Sequence, residues 1–164
     1  MPDAVMQLVE QHNRLRRLFK QVPRLGGHQA ADDRAVSIFE MFAVHSRLEE
    51  ELIYPALRRV DAELVDKAEA EHKEADALVE EIRQKEYDTN EPAKDDVDKL
   101  WRLFDAHATW EEEVLLPKLD SLDQAERDRL GSAVYERNQE LLREFPGALE
   151  TSAETEGFIA APRI

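Results

Sequence analysis

Apolar residues recur at steps of three and four in five stretches of the 164-residue chain, and short polar segments with turn-forming residues separate them. This periodicity predicts helices over residues 3–22, 32–55, 61–87, 94–116 and 124–145. Pro23 and the Gly26-Gly27 pair end the first, a short continuation towards Val60 is open to the second, and the segment Asp-Thr-Asn-Glu-Pro closes the third. Four long helices joined by short connections run antiparallel, because a short loop returns the chain alongside the helix it has just left. The expected fold is all-α, an antiparallel up-down-up-down four-helix bundle over residues 1–120. Residues 121–164 add a C-terminal helix, whose Leu130, Val134, Leu141 and Leu142 give it one apolar side to lay on the same domain, and an extended tail without a clear period.

Each apolar stripe of the bundle carries one histidine. The stripes are Val5, Leu8, His12, Leu15, Phe19 and Val22; Ile38, Phe42, His45, Glu49 and Leu52; Val65, Ala68, His72, Ala75, Val79 and Ile82; and Val97, Leu100, Phe104, His107, Glu111 and Val114. The chain also reads as one unit written twice. HSRLEEELIYP at 45–55 is matched by HATWEEEVLLP at 107–117, and QHNRLRRLF around His12 is matched by EHKEADALV around His72. Residues four apart on a helix share a face, so Glu49 and Glu111 point inward with His45 and His107. A carboxylate buried without a counter-charge costs several kcal/mol, and no lysine or arginine lies on these stripes to offset it. One such histidine alone is ordinarily a core residue bonded to a carbonyl, and one such glutamate reaches solvent along its stem. Four histidines on four stripes, two of them with the same following glutamate, call instead for a pair of metal ions held by four imidazoles and two carboxylates. The fifth histidine, His28, falls in the loop expected after the first helix.

Composition narrows the classes of function. A net charge of −15 repels a phosphate backbone or an anionic lipid surface, so neither nucleic acid nor membrane is an expected partner. The absence of cysteine excludes disulfides, thiolate metal sites and a catalytic thiol. The first residues lack a basic start followed by an apolar run, and no stretch reaches membrane-spanning length; a cytoplasmic protein, monomeric or weakly dimeric, is the expectation. The further acids Glu50, Glu51, Glu112 and Glu113 are expected on a solvated face.

A lone histidine, HxxxE, a lone histidine and HxxxE, each on its own helix, resemble the hemerythrin-like (HHE cation-binding) domains. The resemblance implies a non-haem di-iron centre with an oxo or hydroxo bridge, manganese or zinc being alternative metals of suitable chemistry. On that pattern His12 and His45 would serve one iron, His72 and His107 the other, and Glu49 and Glu111 would span them. Oxygen-carrying hemerythrins have a further histidine one turn after the third-helix ligand, where this chain has Asp76. With about five ligands per ion against the six of an octahedral site, both ions would keep an exchangeable position unless Asp76 or another oxygen donor filled it. Tyr54 is the foremost candidate. On a regular helix it lies half a turn from His45 and closes the bundle end, but Pro55 disturbs the hydrogen-bond ladder, and a widened turn would bring Tyr54 inward as a ligand or redox-active phenol. The resemblance thus implies reaction with a small oxidant (hydrogen peroxide, dioxygen or nitric oxide), foremost catalase-like decomposition of peroxide. An oxygen or iron sensor or storage module without turnover is the alternative.

Overall fold

The structure, a computed structural model, describes residues 2–21, 28–89 and 94–148. Among these, every regular element is helical, and the architecture is the expected antiparallel bundle. Helix α1 runs Ala4–Gln21. Helix α2, His28–Leu48, passes through a π-helical turn, Glu49–Ile53, into the short α3, Tyr54–Arg58. Helix α4 is Ala62–Thr89, and α5, Lys94–Trp110, passes through a second π turn, Glu111–Leu115, into a 3-10 turn, Leu116–Ser121. Helix α6, Gln124–Glu144, follows. Side-chain caps fix three starts: Asp3 accepts from the Met6 N–H at 2.9 Å, Asp61 from Leu64 at 3.2 Å and Asp123 from Glu126 at 2.8 Å.

Helix α2 begins four residues ahead of the expected start, so His28 opens a helix rather than lying in a loop. The preceding turn of sequence, His-Gln-Ala-Ala, favours helix by propensity but presents no apolar period that would have shown it.

The two π turns share a cause. Tyr54 donates its N–H to the Glu49 carbonyl and Leu116 donates to that of Glu111, both reaching back five residues. In each case the next residue is proline, which has no N–H and whose ring displaces the carbonyl four residues earlier. The wider turn inserts one residue, and the buried positions move on by one. Ile53 and Leu115 are fully buried where a regular helix would bury Leu52 and Val114; Leu52 is only half-buried and Val114 is 37 % exposed. Tyr54 and Leu116, at matching positions, follow them into the core at 1 % and 0 % exposure.

The other stripe positions of the middle of the bundle are buried as expected, from Leu8 and Leu15 through Ile38 and Phe42 to Val65, Ala68, Ile82, Leu100 and Phe104. Val22 lies outside the described residues. Phe104 sits centrally, its ring 6.0 Å from that of His12, 6.3 Å from that of His45 and 5.8 Å from that of Phe19.

Helix α6 packs on α1, α2 and the first π turn. The approach is closest at Gly131, where a Cβ would meet the Pro2 carbonyl oxygen at 1.9 Å. Gln7 donates to the Gly131 carbonyl at 2.9 Å, Gln11 to Asn138 at 3.0 Å, and Arg137 to Glu51 at 2.7 Å. Beyond it, the Gly147 N–H donates to Glu40 at 2.6 Å and Arg14 donates to the Ala148 carbonyl. The tail expected beyond residue 148 lies outside the described residues. No described helix is long and apolar enough to cross a membrane.

Candidate metal centre

His12, His45, Glu49, His72, His107 and Glu111 converge in the middle of the bundle, each 5 % exposed or less. Their potential ligand atoms form two overlapping groups, His12, His45, Glu49 and Glu111 in one and His45, Glu49, His72 and His107 in the other. The rings pair in the same sense: His12 with His45 at 4.7 Å between centroids, His72 with His107 at 4.8 Å. Glu49 Oε2 lies 3.2 Å from both His45 Nε2 and His72 Nε2, while Glu111 Oε2 lies 3.4 Å from both His12 Nε2 and His107 Nε2. Each carboxylate therefore stands between histidines of the two repeats.

The outward ring nitrogens decide what the inward ones can do. His12 Nδ1 lies 2.8 Å from Glu112, His72 Nδ1 3.1 Å from Glu50, His107 Nδ1 2.7 Å from Glu71, and His45 Nδ1 3.2 Å from the Gln11 side-chain oxygen. These are acceptors, so each Nδ1 carries a proton, and each ring, once its Nε2 gives up any proton it holds, turns an Nε2 lone pair inward. Four lone pairs and two carboxylates then face one small volume. Nε2 of His12 and of His45, Glu49 Oε1 and Glu111 Oε2 are buried with no hydrogen-bond partner, and the Nε2 atoms of His72 and His107 oppose each other at 3.1 Å. Buried polar atoms are almost always paired. A donor set of this kind, nitrogen and oxygen only and directed at one place, fits a pair of divalent or trivalent cations.

Titration in the protein alone carries the same sign. Burial opposes charge on His72, but bonds to Glu49 and Glu50 push its pKa up to about 10, and His107, bonded to Glu111 and Glu71, is pushed up to about 9. Burial and the neighbouring Glu111 raise Glu49 to about 7. Glu111, for all its burial, is held well below the usual carboxylate range by His107 and His12. Complete burial, and His12 beside it, keep His45 well below its ordinary value. The cluster is short of positive charge and holds protons to make it up.

Tyr54 sits at the edge of this volume, brought there by the π turn. Its hydroxyl oxygen lies 2.8 Å from Glu111 Oε1, 3.2 Å from Glu49 Oε2 and 3.0 Å from His72 Nε2. Burial and the two carboxylates raise its pKa, so the phenol keeps its proton and donates. Asp76 belongs to neither ligand group and is exposed.

Of the acids expected on a solvated face, Glu50, Glu51 and Glu113 are exposed and Glu112 is half-buried, but three of the four also have partners in other helices. Glu50 and Glu112 accept from histidines of the opposite repeat, Glu112 also accepts from Arg16 at 2.8 Å, and Glu51 pairs with Arg137 at 2.7 Å. Packing brings each HxxxE helix alongside the lone histidine of the other repeat, which the periodicity of one helix does not reveal. Gln11 and Glu71 escaped sequence reasoning as well, though the repeat held a signal. Each stands immediately before a lone histidine, and each backs the next histidine of its own repeat. Glu71 is steadied by Lys67 at 2.6 Å, whose ammonium lies 3.4 Å over the Trp110 ring.

A family model described as the hemerythrin HHE cation binding domain matches residues 3–119. Among solved structures, a hemerythrin HHE cation binding domain-containing protein from Mycobacterium kansasii is similar with a TM-score of 0.74 at 23% identity, over 86% of this chain and 88% of that one. No curated protein matches significantly.

Proposed function

The chain belongs to the hemerythrin HHE cation binding domain family, and on that premise we propose that it is a non-haem di-iron protein that reacts with small oxidants, decomposing hydrogen peroxide to water and dioxygen. The observation that carries this reading is the common orientation of the four imidazoles, every Nδ1 bonded outward and every Nε2 turned towards two buried carboxylates. His12 and His45 would hold one iron, His72 and His107 the other, with Glu49 and Glu111 between them. When bound, such a pair supplies the electrons and electron vacancies that reduce one peroxide and oxidise the next.

The chain's own groups do the rest. Phe42 and Phe104 close one side of the volume with apolar surface, which keeps bulk water from the reacting oxidant. Tyr54 holds a proton on its hydroxyl within hydrogen-bond reach of both carboxylates, and it is the group assigned to return protons to oxygen atoms as they are reduced. The exposure of Asp76, where oxygen carriers have a further histidine, supports turnover over reversible oxygen carriage.

Elemental analysis of the purified protein, followed by oxygen measurement on addition of hydrogen peroxide, tests this. The expected result is two irons per chain and oxygen release well above that of the same amount of free iron. Two bound irons without oxygen release would favour the sensing or storage alternative, and no bound metal would overturn the metal centre itself.

A further inference from the structure

The four histidines are not backed alike. Glu112, Glu50 and Glu71 are carboxylates, which only accept, so each by itself fixes the proton of its histidine on Nδ1. Gln11 is an amide with a donating end and an accepting end. Turned one way it accepts from His45 Nδ1 and leaves Nε2 free to bind a metal. Turned the other way it donates to Nδ1, and the ring must then carry its proton on Nε2, where it blocks binding. In the structure the Gln11 Nε2 donates to Asn138 Oδ1 at 3.0 Å, and the Gln11 oxygen is thereby presented to His45 Nδ1 at 3.2 Å.

Asn138 lies on α6, beyond the residues 3–119 that the family model covers. A groove of about 520 Å³ opens over this pair, with Met6, Gln11, Arg14, Met41, Tyr135 and Asn138 among its lining, so solvent stands ready to compete for the Gln11 amide whenever Asn138 is removed. The amide backing differs in strength as well as in polarity. A hydrogen bond to a charged acceptor is roughly twice as strong as one to a neutral acceptor, and the histidine behind it is the stronger electron donor.

We propose that Asn138 is a positioning residue which, through Gln11, sets the tautomer of His45, and that this neutral relay makes the His12/His45 half of the centre the weaker holder of its ion. The inference rests on the dinuclear reading given above. It assigns α6 a task in the metal centre, and it predicts two ions bound with unequal affinity.

The test is an anaerobic calorimetric titration of the full-length, metal-free chain with ferrous iron, with iron counted after desalting. The unaltered chain should bind two ions in distinguishable steps. Asn138→Leu should loosen the weaker ion by a further 10- to 100-fold, the range typical of lost outer partners of metal ligands, while the tighter ion stays within about threefold. Asn138→Asp, which can only accept from Gln11, should bind both ions at least as well as the unaltered chain. Gln11→Glu should narrow the gap between the steps. Circular dichroism of each metal-free variant confirms that the helices are intact. Equal loosening of both ions by Asn138→Leu, or equal loss in Asn138→Leu and Asn138→Asp, would overturn the relay. Two ions held with unchanged affinity in Asn138→Leu would overturn it too and leave the dinuclear reading standing, whereas no iron bound by the unaltered chain would end both.

Discussion

Tyr54 and the outer carboxylates show how much rests on single side chains. The Tyr54 hydroxyl is the donor between Glu49 and Glu111 in a volume without water access, and replacing it by phenylalanine leaves two buried carboxylates facing only imidazole. In metal-free protein, Tyr54→Phe should cost about 1–3 kcal/mol, the penalty of unpaired buried acceptors, measured by urea denaturation. In the iron-loaded protein it should slow peroxide turnover while leaving two irons per chain. Glu112 tests the outer layer. It accepts from His12 and carries Arg16 as counter-charge, so Glu112→Leu frees both and should weaken iron binding about 10- to 100-fold by titration, with little loss of helix content. Of these groups, the six inward residues were legible beforehand because a four-residue step fixes a shared face. Glu112 and Glu50 were not, because their partners lie 100 and 22 residues away and their own helix marks them as outward.

At the scale of the element, two prolines explain the two π turns and hence the position of Tyr54. Pro55 gave warning of a disturbed ladder, and a widened turn was one of the two readings open for Tyr54. The strict helical period nonetheless put Leu52 and Val114 inside in place of Ile53 and Leu115, because counting assumes 3.6 residues per turn throughout. The docking of α6 depends on a different local feature. Gly131 lets the helix touch the Pro2 carbonyl, and any side chain there must push α6 outward. Gly131→Ala should destabilise the protein by about 1–3 kcal/mol, as insertion of a methyl into a closed contact does, and the cost should appear as a lower urea midpoint. Because α6 carries Asn138, the same variant should loosen iron as well, which a methyl inserted at a distant helix contact would not do.

For the whole molecule, pH separates the metal-free from the iron-loaded state. His72 and His107 have folded pKa values of about 10 and about 9 against 6.5 when unperturbed, so the folded state binds their protons more tightly. Their stabilisation is fully present below pH 6.5 and is lost as pH rises through 9 and 10. Glu49, raised from 4.5 to about 7, acts in the same direction over its own window. Glu111 acts oppositely, its contribution being present above 4.5 and lost as pH falls through its depressed value. The stability of metal-free protein should therefore fall between pH 6.5 and 10. Iron binding displaces those protons, so the gap in denaturation midpoint between iron-loaded and metal-free protein should widen over the same range. A metal-free midpoint that rises with pH in this window would contradict the assignment.

What the sequence by itself determined is what spacing along one helix can determine. The number and order of the bundle helices, the faces they bury ahead of the two π turns, and the placing of four histidines and two glutamates on those faces all follow from residues within a few turns of each other. The repeat strengthened the reading by stating it twice. What only the tertiary structure decided is which groups stand behind the ligands, since those partners lie in other helices and depend on how the helices are set against one another. His12 meets Glu112 of the other repeat, and Gln11 meets Asn138 of a helix outside the bundle, 127 residues away. A hydrogen bond is specific to fractions of an ångström and to the direction of a lone pair, and no periodicity along a single chain encodes the relative placement of two helices that closely.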